Sequence, residues 1–480
     1  PQAQPSVIET VAKPDIQVVA AAPAYRPETD INEPIAIIGI SGRFPKARNV
    51  DELWQILEQG RDAVDEVPGD RFDWRKYYGD SASNTEKTNS KWCGSIPGIA
   101  EFDPLFFEIS PLEAERMDPR QRHLLQESWL ALENAGYGPE QIARYKIGMF
   151  VGVEDGSDYQ RRLKQVSLTS THNGILASRL AYFLNLKGPI MAINTACSSS
   201  LVAAHQACLS LRQNECDTAI AAGVNLMVSP AAYVGMTQAG MLSPDGKCYV
   251  FDQRANGMVP GEAVAVVVLK RLSRALADGD PIHGVIRGSG INYDGKTNGI
   301  TAPSGASQTE LLADVYQKAR LQPEDIDYVV THGTGTQLGD PVEINALYDA
   351  FKGSTDKQGF CALTSTKSNF GHTFAASGLV SLISLVQALK YETIPASLHC
   401  EQENDYIRWR ESPFYVNKRK KAWTKQPGQL RIGAVSAFGM SGTNAHMVLQ
   451  NHVAEPPLAA ASSPYYLLAV SAKTESALQE

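Results

Sequence analysis

Two runs of small and apolar residues most constrain the fold of this chain. Residues 198–211 and 374–389 are predicted to be helices with apolar or small side chains on nearly every face. A surface helix carries one apolar stripe, so a helix without a polar face is expected inside the molecule. Each run follows a strand-like segment. This pattern predicts an α/β protein of two similar halves that enclose a helical layer between two sheets.

Composition and charge exclude several classes of protein. The chain has 480 residues, is 43% hydrophobic and carries a net charge of −8, which suits a large globular core and disfavours a nucleic-acid partner. No stretch approaches the roughly 20 apolar residues of a membrane span, and the first residues lack signal-peptide order. We therefore expect a cytoplasmic location. The seven cysteines are scattered without CxxC or Cys/His spacing, which disfavours both a disulfide framework and a metal site.

The chain divides into three predicted regions. Residues 1–33 are rich in Pro, Ala and Gln and are interpreted as a linker. Strands and helices alternate through 34–453, which we take as one domain. A new strand at 465–470 and a new helix from Thr474 onward predict that 454–480 begin a small α/β flanking domain.

Three strand-like segments each end in a reactive side chain. The first leads to Cys197, the second to His332, and the third to Lys367 and then His372. Ligands and chemistry in α/β sheets gather at the carboxyl ends of the strands. The three strand ends therefore predict one shared site.

Cys197 lies at a predicted strand-to-helix turn within Asn194-Thr-Ala-Cys-Ser-Ser-Ser. The N–H groups and dipole of the following helix are expected to lower the pKa of a thiol at such a turn, which would suit a nucleophile. A small buried structural cysteine is the alternative interpretation. The turn alone does not decide between them.

The two histidines lie in glycine-containing loops. A histidine at a strand end often has only a structural role, and this alternative stays open for both. Gly333, Gly335 and Gly339 follow His332, but their spacing fits neither GxGxxG nor a Walker motif. A phosphate-binding loop is therefore disfavoured.

Six ordered motifs carry a family resemblance. They begin at Gly39, Met117, Thr195, His332, Lys367 and Gly442 and read GISGRFP, MDPRQR, TACSSSL, HGTGTQLGDP, KSNFGH and GTNAH. The chain resembles the β-ketoacyl synthase (ketosynthase) domain of bacterial modular polyketide synthases, a member of the thiolase-like superfamily. The resemblance implies a five-layer αβαβα fold of two similar halves, and a homodimer.

The resemblance also implies roles for individual residues. Cys197 would be the nucleophile, and His332 and His372 would serve the second substrate. Lys367 and Glu343 would form a buried supporting pair. The remaining implied residues are Asn369 as a further support, Thr334 and Thr336 on the pantetheine arm, Phe438, Gly439 and Met440 at the substrate, and the backbone N–H groups of Cys197 and Met440 as an oxyanion hole.

The implied reaction is a decarboxylative Claisen condensation. An acyl chain would pass from an acyl carrier protein to Cys197 and then be extended by a malonyl group on a second carrier protein. Neutral imidazoles of His332 and His372 would donate N–H groups to the developing enolate without protonating its carbon. The resemblance implies no directly bound cofactor and no metal, because the substrates ride on the phosphopantetheine of carrier proteins.

Departures from the common family pattern point to a subclass. Asn194 stands where Asp commonly precedes Thr-Ala-Cys, Phe370 stands in place of Ile, and Met440 occupies a position often held by Phe. The segments Gly257-Met-Val-Pro-Gly-Glu-Ala263 and Ser368-Asn-Phe-Gly-His-Thr-Phe374 are similar to those of bacterial synthases whose acyltransferase acts in trans. Because Met is more adaptable than Phe, we expect tolerance for varied or branched acyl chains.

Other functions remain as alternatives. A non-elongating relative would only transfer acyl chains between carrier proteins, but such relatives usually lack the first histidine, and His332 is present. A dimerising scaffold with a vestigial pocket is disfavoured by the complete set of reactive residues. A cysteine hydrolase is disfavoured because it needs a base to activate water, whereas these motifs surround the thiol with donors suited to an enolate.

Overall fold

The computed structural model describes residues 32–155, 159, 168–453, 468, 470, 472 and 474–479. The predicted linker, except for its last two residues, and most of the predicted strand at 465–470 lie outside these described residues. The helix expected from Thr474 is present as Glu475–Gln479.

The described residues form strands and helices that alternate along the chain. The strands are β1 Ile35–Arg43, β2 Asp65–Glu66, β3 Trp92–Cys93, β4 Ile147–Val153, β5 Ile190–Ile193, β6 Thr218–Asn225, β7 Ala263–Arg271, β8 Gly284–Tyr293, β9 Tyr328–Val330, β10 Cys361–Thr364, β11 Thr393–Ile394, β12 Phe414–Val416, β13 Lys421–Ala422, β14 Ile432–Phe438 and β15 Thr443–Gln450. The helices are α1 Val50–Glu58, α2 Pro111–Arg116, α3 Pro119–Asn134, α4 Pro139–Arg144, α5 Leu168–Thr171, α6 Asn173–Phe183, α7 Ser199–Arg212, α8 Pro230–Gln238, α9 Leu272–Asp278, α10 Gly305–Lys318, α11 Gly339–Phe351, α12 Lys367–Phe370, α13 Ser377–Lys390 and α14 Glu475–Gln479.

Eleven of these strands pair in a single order, β12-β10-β9-β14-β15-β8-β1-β7-β6-β4-β5. The order contains the same five-strand unit twice. In the first half β4 is parallel to β5 and β6, while β7 is antiparallel to β6 and β1. In the second half β9 is parallel to β10 and β14, while β15 is antiparallel to β14 and β8. The predicted duplication is therefore confirmed, but the two sheets expected from it are joined through β1 and β8 into one eleven-stranded sheet.

The two halves meet through a short pairing and a shared helical layer. Residues 35–37 of β1 pair with 284–286 of β8. Helix α7 packs on β4 and β6 of the first half and also contacts β8 and β15 of the second, while α13 packs on β14 and contacts β6 and β7. Residues 377–389 of α13 are all buried, as expected for a helix without a polar face.

Outer helices complete the five layers. Helices α3 and α6 cover the first half of the sheet, whereas α10 covers β8 and β15 and is itself packed against α11. The αβαβα architecture is thus confirmed. In the described part of the chain, every helix falls short of the length and apolarity that crossing a membrane would require.

Candidate active site

The turn that carries Cys197 is held in a strained conformation. Strand β5 ends at Ile193, Ala196 adopts a left-handed φ of 54°, and a 3-10 turn over Ala196–Ser198 leads into α7. Asn194 stabilises the bend, since its Oδ1 accepts the backbone N–H of Ala196 at 3.1 Å. The strand-to-helix turn predicted around Cys197 is therefore present.

The serines after Cys197 fasten this turn. Ser199 Oγ accepts the N–H of Thr195 at 2.9 Å and donates to the carbonyl of Ala196 at 2.6 Å. From the second half of the molecule, Ser377 Oγ donates to the carbonyl of Cys197 at 3.0 Å. The polar residues of this segment thus form hydrogen bonds within the fold and hold the position of the thiol.

Burial opposes ionisation of the Cys197 thiol. Cys197 is 5% exposed, and burial raises the pKa of its thiol to about 12. The carboxyl of Glu154 raises the pKa further, while the N–H of Met440 and the charge of Lys367 lower it without compensating for burial. The predicted lowering of this pKa is wrong, because desolvation outweighs the N–H groups of the turn.

Cys197 and Met440 come together as the oxyanion-hole prediction requires. The backbone N–H groups of both residues lie near the Cys197 sulfur and lower the pKa of its thiol. Gly439 permits this approach, because a Cβ at that position would lie 2.3 Å from the carbonyl oxygen of Thr195. The loop between β14 and β15 can therefore contact the turn after β5 only with glycine at 439.

His332 and His372 lie next to each other, with their ring centroids 5.5 Å apart. His332 follows β9, and His372 follows α12 after the left-handed Gly371, which has a φ of 72°. Burial lowers the pKa of both imidazoles well below 6.5, and the charge of Lys367 adds to this effect. Both rings are therefore neutral at physiological pH.

The tautomer of His372 follows from its contacts. Its Nδ1 accepts the backbone N–H of Phe374 at 3.2 Å, so the neutral ring carries its proton on Nε2. Among the described residues, Nε2 has no hydrogen-bond partner. The Phe374 ring stacks on the imidazole at 4.7 Å between centroids. His372 thus holds an unused N–H donor in a fixed orientation.

Glu343 supports the backbone around His332. Its two carboxylate oxygens accept the N–H groups of His332 and Gly333, each at 2.7 Å. Burial raises the pKa of this carboxyl to about 7 and lowers the pKa of the buried Lys367 ammonium. The predicted pair is buried, but its two side chains form no ion pair within 4.0 Å. The charges of Lys367 and Glu343 therefore influence each other's pKa without a direct contact.

Asn369 lies away from the reactive groups. Its side-chain Nδ2 donates to the backbone carbonyl of Arg61 at 3.0 Å, and its backbone carbonyl accepts the N–H of Ala63 at 2.8 Å. It lines neither of the two cavities described below. Its contacts join α12 to the segment after α1.

Two cavities meet at Cys197. The histidine cavity, of about 630 Å³, contains most of the predicted site residues: Cys197, His332, Thr334, Thr336, Glu343, His372, Phe438, Gly439 and Met440. The methionine cavity, of about 430 Å³, lies against the same sulfur and has mainly apolar walls that include Met227, Met236, Met241, Phe374 and Met440. Cys197 and Met440 line both cavities.

Asp340 is a residue of the histidine cavity to which the sequence assigned no role. Its carboxylate accepts the N–H groups of Thr334 at 3.0 Å, Gly335 at 3.2 Å and Phe251 at 2.9 Å, while burial raises its pKa to about 6. This arrangement holds the Thr334 and Thr336 hydroxyls 3.1 Å apart. The signal available in the sequence was an acidic side chain one residue into the helix that follows the threonine loop.

Glu154 is a second residue that the sequence reasoning missed. It follows β4, the strand next to β5, and lines the methionine cavity. The same argument from strand ends that selected Cys197 could have selected it. Among the described residues, no group of three or more His, Cys, Asp or Glu side chains is arranged to hold a metal ion.

Comparisons with known proteins identify the family. The chain matches the family "Beta-ketoacyl synthase, N-terminal domain" over residues 32–275, the corresponding C-terminal domain over 283–401 and the ketoacyl-synthetase C-terminal extension over 404–480. It is 54% identical over 454 residues to the polyketide synthase ThaG of Burkholderia thailandensis, covering 93% of this chain and 8% of that protein. It is 48% identical over 451 residues to the polyketide synthase PksM of Bacillus subtilis, covering 94% of this chain and 10% of that one.

Solved structures give the same result. The ketosynthase from module 6 of the bacillaene synthase of Bacillus subtilis superposes with a TM-score of 0.83 at 46% identity, covering 88% of this chain and 73% of that one. The oxazolomycin ketosynthase domain OzmH KS7 of Streptomyces albus superposes with a TM-score of 0.88 at 36% identity, covering 93% and 78%. The chain therefore belongs to the β-ketoacyl synthase family, as a ketosynthase domain of the kind that modular polyketide synthases contain.

Proposed function

We propose that this domain accepts an acyl chain from an acyl carrier protein onto Cys197 and extends it by decarboxylative condensation with a malonyl group on a second carrier protein. One observation carries the proposal. Cys197 shares a cavity with two neutral histidines, while a second, largely apolar cavity lies against the same sulfur. This arrangement provides separate space for an acyl chain and for a nucleophile that attacks it.

The loading step uses the thiol and the two backbone donors. The Cys197 sulfur attacks the thioester carbonyl carbon, and the N–H groups of Cys197 and Met440 stabilise the resulting oxyanion. The carbon–sulfur bond to the carrier breaks, and the carrier leaves as a thiol. Because the Cys197 thiol is protonated at rest, its proton must be taken up as the bond forms. The neutral imidazole of His332 in the same cavity can accept this proton and pass it to the departing carrier thiolate, whereas the free nitrogen of His372 already carries a proton.

The condensation step uses the histidines as donors. His332 and His372 hydrogen-bond the malonyl thioester carbonyl, the carbon–carboxylate bond breaks, and carbon dioxide leaves. The electron pair forms an enolate, which attacks the acyl carbon and releases the Cys197 thiolate. One preorganised donor contributes about 3 kcal/mol, so two histidines would contribute a factor on the order of ten thousand in rate.

The proposal includes partners and boundaries. Carrier proteins deliver both substrates on phosphopantetheine, with Thr334 and Thr336 at the arm and an acyltransferase acting in trans on the malonyl carrier. A homodimer is supported by the edge strand β5, whose Met191 and Ala192 are exposed. The proposed boundaries remain 1–33 for a linker, 34–453 for the ketosynthase and 454–480 for the start of a flanking domain.

Two variants test the proposal by intact-protein mass spectrometry. We expect Cys197→Ala to abolish the mass increase from an acyl thioester. We expect His332→Ala to load the acyl chain but to form no β-ketoacyl product with malonyl carrier protein. The exposed Glu140→Gln serves as the control and should both load and condense.

The outcome also separates elongation from transfer. A wild-type domain that loads an acyl chain and passes it to a carrier protein, but never condenses it with a competent malonyl carrier, would contradict elongation. That result would support the non-elongating alternative.

A further inference from the structure

We propose that Glu154 selects acyl chains carrying a hydroxyl group, which it hydrogen-bonds inside the methionine cavity. The inference rests on the proposed function, since it concerns the chain that Cys197 would carry. It assigns this domain a substrate class, a hydroxylated acyl thioester, and assigns Glu154 the role of distinguishing that class from unsubstituted chains.

The sheet brings Glu154 close to Cys197. Strands β4 and β5 are parallel neighbours, with Gly152 paired with Ile193. Glu154 follows the end of β4, two residues after Gly152. Cys197 follows the end of β5, four residues after Ile193. Neighbouring strands lie about 4.8 Å apart. The two side chains influence each other accordingly, because the Glu154 carboxyl raises the pKa of the Cys197 thiol.

Glu154 is an acid of this cavity whose carboxylate has no partner among the described residues. Its Oε1 is shielded by the protein, which leaves Oε2 as the oxygen for a ligand in the cavity. Its backbone carbonyl, by contrast, accepts hydrogen bonds from Arg120 at 2.8 Å and Asn173 at 3.1 Å. The backbone is therefore fixed while the carboxyl has no partner. A buried polar group without a partner is unfavourable, and a ligand that supplies a donor would remove this penalty.

The rest of the cavity narrows the ligand chemistry. Arg120 is already paired, because its Nε and Nη2 bond Asp118 at 3.0 and 2.7 Å and its Nη1 bonds the Glu154 carbonyl. The Arg120 guanidinium is therefore not available to pair with a carboxylate on an acyl chain. Leu226, Met227 and Met236 make the walls apolar. In such surroundings a neutral hydroxyl is cheaper to bury than an ammonium group.

The carboxyl itself is suited to a neutral partner. Burial raises the pKa of Glu154, opposed only by the charge of Arg120. Whether ionised or protonated, the carboxyl keeps an oxygen that can accept the hydroxyl hydrogen. A hydroxyl on a growing acyl chain arises when a ketone left by an earlier condensation is reduced. The reaction that supplies this substrate would therefore be a ketone reduction.

The test compares matched thioesters at the loading step. Hydroxylated short-chain acyl pantetheine thioesters, substituted at carbon 3 or 5, are each paired with the unsubstituted chain of the same length. The rate at which each acylates Cys197 is read by intact-protein mass spectrometry. We expect the wild type to load at least one hydroxylated chain about tenfold faster than its partner. A wild type without preference at any position would overturn the inference.

Three variants connect the preference to Glu154. Glu154→Leu should reduce the ratio of hydroxylated to unsubstituted loading to about one, whereas Glu154→Gln, which keeps an acceptor, should retain most of it. Glu140→Leu removes an exposed carboxylate that lines neither cavity and should keep the wild-type ratio. An unchanged ratio in Glu154→Leu, with its fold verified by circular dichroism, would overturn the inference.

The ratio of loading rates is measured before any condensation and does not depend on it. Loading without any product from malonyl carrier protein would contradict elongation but would leave the selectivity measurement valid. Failure of every thioester to acylate Cys197 would contradict the proposed function itself.

Discussion

His332 and His372 of the candidate site differ from ordinary histidines in the pH at which they gain a proton. Burial lowers their pKa well below 6.5, so the neutral form persists at pH values where an exposed imidazole is half charged. We therefore expect the condensation rate of the preloaded enzyme to stay constant as the pH falls from 8 through 6.5. Single-turnover product formation with malonyl carrier protein measures it.

Circular dichroism at each pH provides the control for that profile, since it detects any loss of fold. Burial also raises the pKa of Glu343 to about 7, so Glu343→Gln, which does not titrate, is measured beside the wild type. A rate that falls to half near pH 6.5 in both folded proteins would show that a histidine with an ordinary pKa limits the reaction. It would contradict the donor role proposed for the neutral rings.

Met440 lies where the two cavities meet. It is 48% exposed and lines both cavities next to Cys197. A flat, rigid phenylalanine at this position would narrow the passage, whereas Met adapts its shape. We expect Met440→Phe to slow loading of α-branched acyl thioesters by about tenfold relative to linear ones, measured as paired acylation rates. Equal slowing of both classes would contradict a role in selectivity.

At the residue scale, the identities at the site were predictable but their electrostatics were only partly so. The positions of Cys197, His332 and His372 at strand ends could be read from local pattern. The pKa of the Cys197 thiol could not, because it depends on how completely the surrounding chain removes water. The same is true of Lys367 and Glu343, whose side chains are buried together without touching.

At the element scale, one close approach fixes the oxyanion hole. A Cβ at 439 would collide with the carbonyl of Thr195, so Gly439→Ala should displace the Met440 N–H from the Cys197 sulfur. Loss of one such donor costs about a hundredfold to a thousandfold in rate. We expect acyl loading to slow by about that factor, with the mass-spectrometric rate as the measurement.

Gly69→Ala is the matched control, because a Cβ at 69 meets no atom within 4 Å. It should load at the wild-type rate. A Gly439→Ala variant that also loads at the wild-type rate would show that the contact between this loop and the Cys197 turn has no catalytic importance.

The two central helices were predicted nearly to the residue, and the small errors share one cause. Predicted runs at 198–211 and 374–389 correspond to Ser199–Arg212 and Ser377–Lys390. Each helix is preceded by a 3-10 turn that starts at a non-glycine residue with left-handed φ, 54° at Ala196 and 43° at Phe374. Such a conformation is imposed by tertiary contacts, so the apolar pattern alone could not locate it.

At the scale of the whole molecule, the shared helical layer should make unfolding a single event. Leu382 of α13 is fully buried in a core cluster that draws on strands of both halves. Leu382→Ala should lower the free energy of unfolding by about 2–5 kcal/mol. We expect one transition, shifted equally when followed by far-UV circular dichroism and by tryptophan fluorescence.

Leu276→Ala is the control for this variant, because Leu276 is 54% exposed and should contribute little. Two separate transitions in the wild type, one for each half, would contradict the view that the halves are stabilised through one central layer.

The overall architecture was predictable because duplication leaves a repeated pattern of strand, reactive residue and buried helix. The pairing of residues 35–37 with 284–286 was not, since short apolar strands carry no signal for their partners across the chain. The enclosed carboxyl of Glu154 was also missed, because its importance appears only once β4 is placed next to β5.

The meeting of both cavities at one sulfur has a kinetic consequence. If both carrier proteins deliver their arms through the histidine cavity, the first must depart before the second can enter. The two substrates would then follow a ping-pong order, and an excess of either carrier would act as a competitive inhibitor of the other. The relative supply of the two carriers would thus set the pace of synthesis as much as the chemistry at Cys197.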